Sequence, residues 1–327
     1  MTSEDIQRRL DSLTKPRGSL GRLEEALLRY TEIRGVAPPR ELRVAALIFC
    51  ADHGVVEEGV SAWPAEVTRQ MALNFVNGGA AINVLCRHYG IVPRIVDMGI
   101  RGAAVAGVLD RRIAEGTRNF TRQAAMTAAE CRRAIEVGRR LALEAAREFD
   151  AVLCGEMGIG NTTAATALLC AYAGLDPAEV TGSGAGLDEE GVRRKAGVIR
   201  KALALHPSRE RMEIAANLGG FEILAIAGAI EGAGEARVPV ILDGFISTSA
   251  ALIVSPGARW PVLYSHCSAE AGHGRMLDFL GARPLLNLDM RLGEGTGAAL
   301  AVGILQAACR LYHEMATFEQ ASVSEKK

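Results

Sequence analysis

What the 327-residue chain lacks narrows its class before any motif is read. Lys plus Arg number 37 against 38 Asp plus Glu, so no excess of positive charge points to nucleic acid or to an anionic membrane surface. The longest nearly apolar stretch, 297–308, is too short to span a bilayer, and the polar opening MTSEDIQRRL is not a secretory signal. Aromatics are only 5% of residues. The seven cysteines (Cys50, Cys86, Cys131, Cys154, Cys170, Cys267 and Cys309) stand singly, with no Cys-x-x-Cys pair and no Cys/His spacing suited to structural zinc. They read as free thiols of a reducing, cytoplasmic compartment, and neither a metal nor a cofactor is expected. No internal repeat, low-complexity tract or charge block interrupts the chain.

What is present suits a large buried core: 49% hydrophobic and 23% charged residues, with 36 glycines, need no disulfide or metal staple. Short β-branched runs alternate with longer amphipathic ones, the rhythm of βαβ units. The expected fold is α/β, a Rossmann-like, mostly parallel sheet flanked by helices, with a smaller helical subdomain built from the N- and C-terminal segments. Residues 1–40 and 301–327 are assigned to that subdomain and 41–300 to the α/β domain. Strands are expected at 43–50, 92–99, 151–158, 238–244, 260–266 and 284–293. Helices are expected at 20–33, 64–77, 128–148, 161–173, 188–205, 209–218, 247–254 and 297–314, followed by a polar tail that is either frayed or a short helix docked on a neighbour. In such sheets ligands collect where strands end and helices begin, so those turns are where chemistry is sought.

The turn Gly155-Glu156-Met157-Gly158-Ile159-Gly160-Asn161-Thr162 follows a strand and opens an alanine-rich helix. Free N–H groups at such a helix start suit an anion, and glycines let it approach. The spacing imitates a phosphate-binding loop, but Asn161 stands where the lysine should be, which argues against a nucleoside triphosphatase. A tight turn with Asn or Thr as cap explains the segment equally well. A second turn, Leu292-Gly293-Glu294-Gly295-Thr296-Gly297, places a carboxylate among glycines. A partly desolvated Glu294 can serve as a base near neutral pH; the plainer alternative is an acid favoured by the dipole of the helix it precedes.

Asp243 ends another strand and can accept two ribose hydroxyls, while Ser268 can donate to phosphate. His266 and Cys267 are read as packed residues rather than a nucleophilic dyad, because neighbours on a strand face opposite ways. Asp52-His53 suggests a turn hydrogen bond more than a metal site. Trp63 is either an aromatic wall for a flat ligand or a staple at a helix start, with Pro64 in the first turn. Within the basic run GVRRKAGVIRKAL most charges are a solvated face, and Lys195 is the one expected to reach inward to phosphate.

Taken together, LTKPRGSLGRLE, ADHGV, SAWPAEVTRQM, GEMGIGNTTAA, TGSGAGLD, LDGFISTSAA, SHCSAEAGH and LLNLDMRLGEGTGAALA closely resemble the nicotinate-nucleotide:dimethylbenzimidazole phosphoribosyltransferases of cobalamin biosynthesis, nearly end to end. The resemblance implies transfer of 5-phosphoribosyl from nicotinate mononucleotide to 5,6-dimethylbenzimidazole, with inversion at the anomeric carbon, by a homodimer. It maps the catalytic base onto Glu294. The substrate-binding set becomes Ser61, Gln70, Glu156, Gly158, Gly160, Asn161, Thr162, Lys195, Asp243, Ser268, Leu292 and Gly293, with Lys195 and Ser268 near phosphate and Leu292 and Gly293 beside the base. Rival readings are a diphosphate-dependent phosphoribosyltransferase, which needs magnesium, and a non-catalytic nucleotide-binding protein.

Overall fold

A computed structural model describes residues 2–255 and 259–324. The strands are β1 (Val44–Ala51), β2 (Val92–Gly99), β3 (Leu109–Asp110), β4 (Ala151–Met157), β5 (Val240–Leu242), β6 (Val262–Tyr264), β7 (His266–Cys267) and β8 (Leu286–Asn287). The first six form one sheet in the order β3-β2-β1-β4-β5-β6, every pair parallel. That is the doubly wound order of dinucleotide-binding folds, whose ligand crevice opens where the order reverses, between β1 and β4. The expected α/β class holds.

Both faces of β1 are buried, which is why it reads as an unbroken apolar run rather than an alternating one. Ala45, Leu47 and Phe49 face one core, while Ala46, Ile48 and Cys50 face the other. The first core is covered by helices Ala128–Ala145 and Phe221–Ala236. These two pack backbone to backbone: a Cβ on Gly138 would strike Ala225, and one on Gly228 would strike Ile135. On the opposite face lie helices Val67–Asn77, Ala81–Tyr89 and Thr296–Glu314. A third, small cluster joins Ile6, Leu10, Leu13 and Leu27 of the N-terminal helices to Ala308 and Tyr312.

Differences from expectation have physical causes. Helix Phe221–Ala236 was not foreseen because its first ten residues, 221–230, are buried on every side, with no stripe to betray the period. The strand expected at 284–293 shrinks to β8, paired only with β7; Leu288 and Leu292 beyond it are exposed. Pro64 lies ahead of its helix, accepting from Val67 N–H in a preceding turn. Of the two readings of the tail the short helix holds: Phe318–Ala321 is helical, and Thr317 bridges to Leu13.

Candidate active site

At the carboxyl ends of the central strands the two glycine turns meet. A Cβ on Gly155 would collide with the Glu294 carbonyl, and one on Gly158 with the Ala51 carbonyl at the end of β1. In the second turn Gly293, Glu294 and Gly295 have φ of 82°, 64° and 95°, three left-handed residues in succession. Only Glu294 among them carries a side chain, a conformation that costs about 1–2 kcal/mol and concentrates at functional sites. Above the turns lies a cavity of about 740 Å³, large enough for a nucleotide and a second ring.

Glu294 is not the cap of its own helix. Asp243 fills that role, its two oxygens accepting from Gly295 N–H (3.1 Å) and Ala298 N–H (2.9 Å). Glu294 is thereby left to face the cavity, where its carboxylate meets Ile82 N–H at 3.5 Å, at the start of helix Ala81–Tyr89. Burial raises its pKa, the Ile82 N–H opposes, and the charge of Asp243 adds to the rise. Burial also raises Asp243, against the pull of His266 (3.7 Å) and of the N–H groups it accepts.

Glu156 lies a few atoms away under different constraints. Asn161 Nδ2 donates to Oε2, and the backbone N–H of Glu294 is a further donor to this carboxylate. Burial, with Asp243 and Glu222 as negative neighbours, pushes its pKa to about 8 despite those donors. Burial thus favours the protonated form of Glu156, and its hydrogen bonds hold the Glu294 turn in place.

Toward the other end, Lys195 is one of the largest fully buried side chains. Its Nζ donates to Thr162 Oγ1 (2.8 Å) and reaches Gly182 O (3.4 Å), and burial lowers its pKa to about 8, with Glu270 acting in the opposite sense. Thr162, Ser268, Glu270 and Ser61 line the cavity there. The strap 183–186 lines the same cavity, held by Trp63 Nε1 donating to Ala185 O (2.8 Å) and by Arg291 Nη1 donating to Gly184 O (3.0 Å). Trp63, about half exposed, is thus a wall of the cavity and not a packed staple.

Of the residues singled out from the sequence, Ser61, Glu156, Gly158, Gly160, Asn161, Thr162, Asp243, Ser268, Leu292, Gly293 and Glu294 line this one cavity. Lys195 reaches it through Thr162, whereas Gln70, exposed on helix Val67–Asn77, is not among the lining residues. Asp52 accepts from Arg101 N–H (2.8 Å), a bond between the segments that follow β1 and β2 and not the local turn hydrogen bond expected. His53 instead meets Glu222 at 2.6 Å, both side chains wholly buried. Glu222, Glu270 and Arg291 were missed. A single acid within the apolar run 221–230, as Glu222 is, was the available signal, because a buried charge needs a partner.

A family model described as phosphoribosyltransferase matches residues 1–323. The nicotinate-nucleotide:dimethylbenzimidazole phosphoribosyltransferase of Chloroflexus aggregans is 50% identical over 98% of this chain and 93% of its own length. The chain belongs to this enzyme family. The Geobacter sulfurreducens member is 48% identical over the same shares of both chains. The crystal structure of the Thermus thermophilus member, CobT, superposes with a TM-score of 0.93 at 46% identity, covering 99% of each chain. The match extends over the whole architecture, including the elements that carry the two glycine turns, the strap and the buried lysine.

Proposed function

We propose that this chain transfers 5-phosphoribosyl from nicotinate mononucleotide to 5,6-dimethylbenzimidazole, giving α-ribazole 5′-phosphate and nicotinate, with Glu294 as the base. The observation that carries the assignment of the base is the division of labour between Asp243 and Glu294: the helix start is already capped, and the glutamate is left buried and facing the cavity.

Nicotinate in its nucleotide is a pyridinium, so its ring nitrogen leaves by taking back the bonding pair and needs no acid. One benzimidazole nitrogen attacks the anomeric carbon as that bond breaks, and the ring acquires positive charge. Glu294 removes the proton from the opposite nitrogen and neutralises that charge as it develops, help worth about a hundredfold to ten-thousandfold. Burial, by raising the pKa of Glu294, makes it the stronger base once ionised. Leu292 and Gly293 sit beside the heterocycle, an apolar setting that suits a dimethylated ring. Discrimination by such a pocket is worth only about 1–3 kcal/mol per methyl group, so related azoles are accepted.

The phosphate lies at the far end, near Lys195, Thr162 and Ser268. A phosphate dianion would restore full charge to a lysine that burial has brought down to about 8. The working form is a cytoplasmic homodimer; Leu73, Val76 and Val84, exposed on adjacent helices, support a partner surface there. The test is nicotinate release from its mononucleotide, with and without dimethylbenzimidazole and with a strong chelator. Release that requires the benzimidazole and survives chelation is expected. Release that requires magnesium would favour diphosphate-type chemistry, and none in any condition would leave only a binding protein.

A further inference from the structure

Ser268 is held from behind. Its backbone N–H donates to His273 Nδ1 at 2.7 Å, and the other ring nitrogen, Nε2, lies 3.1 Å from Thr248 Oγ1. Both His273 and Thr248 are completely buried. Because Nδ1 accepts, it carries no proton, so the ring proton is on Nε2 and is donated to Thr248. The imidazole is thereby confined to one tautomer. Two cavity-lining rings, Phe245 and His266, stand edge to face against it with centroids 6.2 and 6.4 Å away. Thr248 in turn belongs to the short helix that follows the Asp243-Gly244 turn, its N–H donating to Gly244 O at 2.9 Å. His273 thus ties the turn bearing Ser268 to the wall that carries Asp243, the cap of the Glu294 helix.

We propose that His273 is a positioning residue for nucleotide binding: as a neutral, single-tautomer imidazole it fixes the Ser268 turn against the Asp243 wall, so that the serine presents its hydroxyl and the cavity its width to the phosphoribosyl group. This rests on the reading that Ser268 contacts the nucleotide. Protonation would turn Nδ1 into a donor facing the Ser268 donor. Burial and the neighbouring His266 prevent it, lowering the His273 pKa to about 3.

Two substitutions separate the two ring nitrogens. The side-chain oxygen of asparagine falls near Nδ1 and can still accept from Ser268, whereas glutamine reaches toward Nε2 and Thr248 but offers nothing at Nδ1. H273Q is expected to raise KM for nicotinate mononucleotide about tenfold or more, with KM for dimethylbenzimidazole changed less than about threefold; H273N is expected to rescue most of that loss at equal or lower thermal stability. A purely structural role would move both KM values together and rank the variants by stability; that result, or equal effects from H273N and H273Q, overturns the inference. S268A distinguishes the premise: an unchanged nucleotide KM sinks the reading of Ser268, whereas a raised one with H273Q silent sinks the inference about His273 alone. Should the variants fail to fold, 15N NMR of the unaltered enzyme decides. A proton on Nε2 with an accepting Nδ1 is expected, and a proton on Nδ1 refutes it.

Discussion

The 155–160 turn and the 293–295 turn each lead into a helix through a left-handed glycine at its start, Gly160 at φ 94° and Gly295 at φ 95°, the one directly from β4 and the other from the irregular segment after β8. Each holds one buried glutamate, and the two backbones touch at Gly155 and Glu294. Yet Glu156 is committed to Asn161 and to the Glu294 backbone, whereas the Glu294 carboxylate has, among the described residues, a single long hydrogen bond, from Ile82 N–H at 3.5 Å. The difference shows that the local motif does not set the chemistry. What decides is whether another residue has already satisfied the helix start and whether the carboxylate has capacity left for a ligand. Asp243, far away in sequence, makes that decision for Glu294.

The sharpest break of the comparison is to neutralise each acid in turn. E294Q should keep its fold and substrate binding but lose about 10²–10⁴ in kcat, about 3–5 kcal/mol of barrier, whereas E156Q should lose less than about tenfold. Equal losses would mean that the two turns share one role. Next in size is K195A, which removes a charged donor at the opposite end. It should raise KM for the nucleotide about 10- to 150-fold with much less effect on the benzimidazole, as measured by initial rates with each substrate varied. G155A tests the contact between the turns directly. Its methyl has no room beside the Glu294 carbonyl, so a loss of about 1–3 kcal/mol by denaturant titration is expected, with kcat falling as Glu294 shifts.

The last test of the comparison is pH dependence. Burial lifts Glu156 from 4.5 to about 8, so the folded protein keeps a proton that the unfolded chain releases. Its contribution to stability is complete below about pH 4.5 and is lost as pH rises through about 8. Thermal unfolding of E156Q between pH 5 and 9 should therefore decline less than that of the unaltered protein. An unchanged slope would return the Glu156 carboxyl to an ordinary range.

Much of the frame was legible because buried parallel strands are apolar runs and turns carry glycine: β1, β2 and β4 lie within a residue of their expected limits, and helix Asn161–Ala173 matches its own. Helix Phe221–Ala236 was illegible for the reason that makes it central, since burial on every side erases periodicity. The position of Glu294 among glycines was visible, as was its rival role as a helix-start acid. Only long-range geometry, Asp243 at the cap and Ile82 opposite the carboxylate, separates the two. His53 with Glu222, and the strap held by Trp63 and Arg291, pair residues more than 100 positions apart or set a side chain on a distant carbonyl. No local pattern encodes such pairs.

The central claim is tested most directly by a crystal structure of the enzyme with α-ribazole 5′-phosphate bound. The account predicts a Glu294 carboxylate oxygen within about 2.6–3.2 Å of the free ring nitrogen, with the phosphate at Lys195, Thr162 and Ser268. A Glu294 carboxyl turned away from the heterocycle, with Glu156 against that nitrogen instead, would contradict it.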